Sequence, residues 1–431
     1  MDSIVTKTKL PNGLTVHLKE IHNAPIISQW LWYRIGSRNE KSGLTGISHW
    51  VEHMQFKGTD QFPAGILDKA ISRDGGFWNA FTYLDWTTYF ETMPAEKIDL
   101  ALRLEANRMT GSLLPTEEVE SERTVIISER EGSENEPLFR LGEAIQAAAF
   151  EIHPYRHEII GELADLKTIT RDDLYNHYRS NYNPANAVLT VAGDFKSEAM
   201  LSRITELYQD IPEGSLPDHK AITEPPANGE KRVEVKGPGD TTFLQIGYHA
   251  PAANNPDFFI FTVLDSLLTG PTSLNMFGGG GISNKTSRLY RALVEKELAV
   301  SVNGGLSATI DPYLYDITVT VHPQHKYQPV LGKLDEEIKR IQDTLVSPDE
   351  INRAVKQARA LFAYGSENIT NQGFWLGYAE MFASYDWFIN YVTELGKVSP
   401  MEVQRIACEY LRPENRVVGI YLPTPSREET K

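Results

Sequence analysis

Apolar positions along the chain change period several times, and each change predicts an element. LTVHLKEI (14–21) alternates and reads as a half-buried strand. PIISQWLWYRIGS (25–37) is apolar on both faces of the pleat and reads as a buried strand. In GISHWVEHMQFKGT (46–59) the period becomes helical, with His49 and His53 four apart and Val51, Met54 and Phe56 as apolar filler. FPAGILDKAISRDGG (62–76) predicts a second helix with a Gly-Gly stop. FWNAFTYLDWTTYFETM (77–93) is dense in aromatics and threonines and predicts strand. Two long helices follow, in PAEKIDLALRLEANRMTG (94–111), which opens on Pro94 near its first turn, and in PTEEVESERTVIISEREGSE (115–134). NAVLTVAGDF (186–195) predicts a strand ending in a turn.

Residues 211–232 break the pattern with four prolines, two glycines and almost no apolar periodicity. They predict a linker (212–232) between one domain at 1–211 and another at 233–431. The second half then repeats the programme: a strand in TTFLQIGYHA (241–250), a helix in PDFFIFTVLDSLLTG (256–270) and strands near AVSVNGGLS (299–307) and LYDITVTV (314–321). Helices from about 327 to 365 and 373 to 411 and a last strand, NRVVGIYLP (415–423), complete it. NAVLTVAGDF and NRVVGIYLP close their halves alike, each after a helix and a Pro entry, in NYNPANA and YLRPENR. The expected fold is α+β, with two homologous α/β domains, each a sheet with packed helices.

Composition narrows the chemistry. The 431 residues suffice for two domains with large cores. A single cysteine, Cys408, excludes an intrachain disulfide framework and any CxxC metal site, so a metal must be held by His and carboxylates. A net charge of −16 argues against nucleic acid as a partner. No run of about 18 apolar residues predicts a membrane span. The opening MDSIVTKTKLPNGLTV lacks a basic stretch followed by an apolar one, so the expected location is cytoplasmic, or periplasmic if an export segment has been trimmed away.

On a helix, i and i+4 share a face, so His49 and His53 can grip one ion. Glu52 lies beside His53 and can reach a metal-bound water without being a ligand, an inversion of the HExxH zinc helix. A hydrolytic zinc needs a third protein ligand. The helix at 115–134 offers several glutamates; Glu122 and Glu129 are seven apart and project from one face, and spacing does not choose between them. HPYRH (153–157) and HPQH (322–325) have no evident third ligand and are expected to be structural. FGGGGISNKTS (277–287) falls short of a phosphate-binding loop, with Asn284 where the second glycine must stand.

HWVEH, followed 76 positions after His53 by the glutamate of SERTVIISE, resembles the inverzincin family of insulinase, pitrilysin and the mitochondrial processing peptidase. KLPNGLTV, GGFWNAFTYLDWTTYF, HPYRHEIIG, NYNPANAVLTVAGDF, SRLYRALVEKELAVSV and YLRPENRVVGIYLP look like family segments in family order. The resemblance implies one Zn2+ per chain on His49, His53 and Glu129, with Glu52 as general base and Glu122 supporting the site from behind. It implies a zinc endopeptidase acting on peptides or unfolded segments, the chain forming half of a clam-shell chamber. WNAFT (78–82) is similar to the family's edge strand, where a substrate adds by backbone hydrogen bonds; Asn79, Ala80 and Phe81 would meet it. Gly279 and Gly280 are similar to a glycine-rich loop that touches substrate in the processing peptidase.

One departure stands out. Single-chain members carry an Arg and a Tyr in a run like LR-x-K-E-x-L-G-Y, and these bind the substrate carbonyl. Here LVEKELAVSV places Val294 and Val300 there, and neither can donate to an oxyanion. A homologous partner chain supplying that pair is therefore expected, as a heterodimer or a homodimer. Two other functions compete: a non-catalytic assembly subunit, against which the complete set of Glu52, His49, His53 and Glu129 counts, and a zinc hydrolase of non-peptide substrates.

Overall fold

The computed structural model describes residues 5–217, 222–272 and 283–424. The strands are β1 (Val5–Lys9), β2 (Thr15–Glu20), β3 (Ile26–Tyr33), β4 (Phe77–Thr82), β5 (Thr87–Pro94) and β6 (Ala187–Gly193), then β7 (Lys231–Pro238), β8 (Phe243–Ala250), β9 (Ala299–Leu306), β10 (Tyr313–Val321) and β11 (Arg416–Thr424). The helices before the proline-rich stretch are α1 (Ile47–Met54), α2 (Ile66–Arg73), α3 (Ile98–Gly111), α4 (Thr116–Ser133), α5 (Pro137–Ala149), α6 (Leu163–Leu166), α7 (Arg171–Asn181) and α8 (Ser197–Tyr208). After it come α9 (Asp257–Leu268), α10 (Tyr327–Asp343), α11 (Pro348–Gly365), α12 (Ile369–Phe382), α13 (Tyr385–Leu395) and α14 (Pro400–Tyr410).

The sheets share one plan. The first has the order β1-β2-β6-β3-β5-β4 and the second β7-β11-β8-β10-β9. With β1 set aside, the orders superimpose strand for strand. In each, the strand that closes its half pairs parallel on one side and antiparallel on the other: β6 with β2 and β3, β11 with β7 and β8. The repeat suggested by NAVLTVAGDF and NRVVGIYLP is thus a repeat of sheet position. Both domains are α/β, each a mixed sheet with packed helices.

The two compact units interleave along the chain. One comprises Met1–Arg130, His157–Ala221 and Ser366–Tyr385; the other comprises Glu131–Arg156, Ile222–Gly365 and Asp386–Lys431. Each half of the chain thereby gives a helix to the other half's sheet. α5 packs on β7, β8 and β11, while α12 packs on β2, β3 and β6. α12 is apolar nearly all round, as a helix with buried surroundings must be. Its glycines explain how close it comes: a Cβ on Gly373 would meet the Trp30 ring at 2.7 Å, and one on Gly377 would meet Trp32 Nε1 at 2.1 Å. Trp30 and Trp32 stack at 5.5 Å, with Phe374 of α12 edge-on to both at 5.4 Å.

Several boundaries differ from those the pattern predicts. The end of the predicted linker, Lys231 and Arg232, already belongs to β7. The stretch from 327 to 365 is two helices, broken before Pro348. The stretch from 373 to 411 belongs to three, the last started by Ser399, whose hydroxyl accepts the N–H of Glu402, with Pro400 in the first turn.

Candidate metal centre and active site

The site is built on α1 and α4. Gly46 caps α1 with φ +87°, a conformation that favours glycine. A Cβ there would also meet Ile160 O at 2.4 Å. Glu40 accepts the N–H groups of Gly46 (2.8 Å) and Ser48 (2.9 Å), so a carboxylate fixes the start of the helix. Trp50, Val51 and Met54 are buried in the core, which orients α1 and leaves His49 and His53 one turn apart on another face.

His49 Nε2 and His53 Nε2 lie 3.2 Å apart, and Glu129 Oε2 is 3.7 Å from His53 Nε2. One ligand atom from each residue falls within 4.8 Å of the others, the one such group found among the described residues. Four ligands around a tetrahedral zinc stand about 3.4 Å apart, so this cluster has the dimensions of a two-His, one-carboxylate site. The other nitrogen of His53, Nδ1, faces Glu122 Oε1 at 2.9 Å. A proton on Nδ1, donated to Glu122, leaves the Nε2 lone pair for a metal. His49 has no such support among the described residues, where its buried Nδ1 finds no hydrogen-bond partner. Burial and the neighbouring His53 push His49 down to about 3, so its imidazole is neutral, as a ligand must be.

Burial separates the two glutamates that spacing could not. The Glu122 side chain is 8% exposed and holds His53 from behind, while that of Glu129 is 46% exposed. Lys57 Nζ sits 2.5 Å from Glu122 Oε2 and 3.6 Å from Glu118 Oε2. Burial works to raise the pKa of Glu122, but hydrogen bonds from Lys57 and His53 prevail and hold it below the ordinary carboxylate value. Glu52 is the opposite case. Burial raises its pKa, and the hydrogen bond from Thr82 Oγ1 to Oε2 (2.7 Å) offsets only part of that. Lys57 and Thr82 were not singled out in the sequence; Lys57 lies three residues past the end of α1, in reach of Glu122.

Thr82 ends β4, which among the described residues pairs with β5 alone and is an edge of its sheet. The hairpin closes with Tyr83 N–H donating to Trp86 O at 2.8 Å. Counting back in the register, Trp78, Ala80 and Thr82 occupy non-hydrogen-bonded pairs and turn their backbone groups to the free edge. Those of Asn79 and Phe81 turn to β5. Asn79 reaches the edge with its side chain, whose Oδ1 accepts the Ala80 N–H at 2.9 Å. The Phe81 ring lies parallel to Phe90 at 6.0 Å. Under the hairpin, the buried Arg108 pairs with Glu105 and lies over Tyr89 (4.3 Å) and Trp78 (5.5 Å), so the edge strand rests on a fixed base.

The other residues fall elsewhere. Gly279 and Gly280 lie outside the described residues. Val294 ends a single π-type turn and is half-buried, and Val300, on β9, is 56% exposed. His153 binds Asp311 at 3.0 Å and His157 faces the Glu158 carbonyl at 3.2 Å, so the two HPYRH histidines have separate partners.

Residues 15–162 match the family described as Insulinase (Peptidase family M16), and residues 168–358 match its inactive domain. An uncharacterized zinc protease of Streptomyces coelicolor is 26% identical over 96% of this chain and 89% of its own length. The mitochondrial-processing peptidase subunit beta of Saccharomyces cerevisiae is 26% identical over 82% of this chain and 77% of its own. The crystal structure of a protease from Helicobacter pylori has the same fold, with a TM-score of 0.90 at 24% identity over 98% of this chain and 100% of that one. The chain belongs to the insulinase family of peptidases.

Proposed function

We propose that the chain is a zinc metalloendopeptidase acting on peptides or unfolded polypeptide segments. His49, His53 and Glu129 would hold one Zn2+, with Glu122 orienting His53. The observation that carries the reading is the position of Glu52. It is buried between the histidine cluster and the edge strand, and its Oε2 is held by Thr82 of that strand. Zinc bound there would supply Lewis acidity, which polarises a carbonyl and acidifies water.

The chain's own residues do the rest. Thr82 engages one Glu52 oxygen and leaves Oε1 to take the proton of the attacking water and pass it to the leaving amine. Raised by burial, Glu52 is a stronger base than a surface carboxylate. The free edge of β4 favours an extended polypeptide over a compact small molecule, because Trp78, Ala80 and Thr82 offer a ladder of backbone groups. Of the residues proposed to meet substrate, Ala80 would do so through its backbone and Asn79 through its side chain, while the Phe81 backbone turns to β5.

Val294 and Val300 leave this chain without the donors that single-chain relatives place at those positions. An oxyanion donor is worth about 10²–10³ in rate. We infer that a homologous chain bearing an Arg and a Tyr supplies them. The test is zinc content together with cleavage of an unstructured peptide, with and without such a partner. The expected result is one zinc per chain, cleavage abolished by a chelator, and kcat raised about 100-fold by the partner. A chain that binds zinc and never cleaves a peptide in either state would be an assembly subunit instead.

A further inference from the structure

Two charged groups, Lys57 and Glu122, stand in line behind the histidine cluster. Lys57 Nζ is 2.5 Å from Glu122 Oε2, and Glu122 Oε1 is 2.9 Å from His53 Nδ1. His53 Nε2 then faces His49 and Glu129. The two Glu122 oxygens are divided, one for Lys57 and one for His53. Lys57 leaves the C-terminal end of α1, its N–H bonded to Met54 O. Its ammonium also reaches Glu118, one turn before Glu122 on α4. It therefore joins the helix that carries both histidines to the helix that carries Glu129.

An ordinary surface ion pair would have both partners in water and would be worth little. This one differs on both sides. The Glu122 side chain is 8% exposed and that of Lys57 only 25%. A buried carboxylate that loses its cation is no longer anchored where it stands, so Glu122 would not be held where it accepts from His53 Nδ1. The imidazole would then lose the group that fixes its tautomer and ring plane.

We propose that Lys57 is a positioning residue for the metal, holding Glu122 as the acceptor that aims His53 Nε2 and docking α4 so that Glu129 meets the same ion. This rests on the zinc reading of the cluster. Changes in groups behind a ligand cost about 10–100-fold in metal affinity. Lys57→Met should therefore weaken zinc binding about tenfold, measured by competition with a chromogenic chelator. Lys57→Arg, which keeps the charge, should restore most of it. In a Glu122→Gln background the Lys57→Met change should cost less than about twofold, because its effect runs through Glu122. A generally loosened fold would show equal losses in both backgrounds and no rescue by arginine, and either result overturns the proposal. Unchanged zinc affinity in Lys57→Met also overturns it, while a parent chain that takes up no zinc overturns the zinc reading itself.

Discussion

β4 and β9 hold the same place in two sheets of the same order, each at an edge, yet their free edges are treated differently. On β9 the outward carbonyls are taken. Asn284 Nδ2 donates to Val302 O at 3.0 Å, and Thr272 Oγ1 donates to Gly304 O at 3.2 Å. On β4 the Ala80 N–H is met by nothing firmer than the side chain of the preceding residue. The buried carboxylate beside each edge repeats the contrast. Asp265 accepts from Thr269 (2.6 Å) and Tyr315 (2.8 Å) on one oxygen, and its other oxygen shares the Thr272 hydroxyl (3.0 Å) with Gly304 O. Glu52 accepts from Thr82 on one oxygen. In the second unit hydrogen-bonding capacity is spent on the fold. In the first it is left open at the place where a histidine cluster stands.

The largest effects should come from the cluster. His49→Ala, His53→Ala and Glu129→Gln should each weaken zinc binding by more than about 100-fold, beyond what groups behind a ligand are worth. No such change should follow from any substitution in the second unit. If Glu122→Gln cost more than Glu129→Gln in a zinc titration, the two roles would have to be exchanged.

Asp265 should govern stability in place of chemistry. Burial pushes its carboxyl up to about 6, from an ordinary 3.8. A raised carboxylate favours the folded state while protonated, so its contribution is complete below the unfolded pKa and is lost as pH rises through the folded one. Between about pH 4 and 6 the loss should be on the order of 3 kcal/mol. Asp265→Asn removes this titration. Urea unfolding at pH 4 and pH 7 should therefore show the stability of the parent relative to the variant falling by that amount, with zinc binding unchanged. A difference independent of pH would mean that Asp265 is ionised at little cost.

Closing the open edge should cost less. Ala80→Pro removes one outward N–H and leaves the ladder to β5 intact, which an edge position tolerates. Peptide kcat/KM should fall about tenfold, one hydrogen bond's worth, with zinc content unchanged. Unaltered cleavage would mean that substrate does not add to β4. The smallest effect belongs to β9: Asn284→Ala should cost about 1 kcal/mol of stability and nothing in cleavage.

The histidine pair was legible because a helix imposes i, i+4, and the strands at 14–21, 25–37 and 186–195 because their apolar positions have one reading. β1 and β7 were missed, since VTKTK and KRVEVK carry too few apolar positions to stand out from loop. α7 was read only as a helix before NYNPANA, without bounds, although Thr170 and Asp173 form a capping box at its start. No pattern could show the helix exchange. The buried residues of α5 state that one face is covered, without stating that β7, β8 and β11 cover it. At the site, spacing left Glu122 and Glu129 equivalent; only the family resemblance gave them different roles, and packing buries one and leaves the other half-exposed. The phase of β4 likewise depends on which pair closes the hairpin.

The central claim is that Glu52 moves protons and holds no metal. Glu52→Gln keeps the shape of the side chain and a hydrogen bond with Thr82 while removing the base. The decisive measurement is zinc content and peptide cleavage on the same preparation of this variant. One zinc per chain, with cleavage reduced at least about 100-fold, is the expected result. Loss of zinc from a folded variant, or cleavage at the parent rate, would contradict the account.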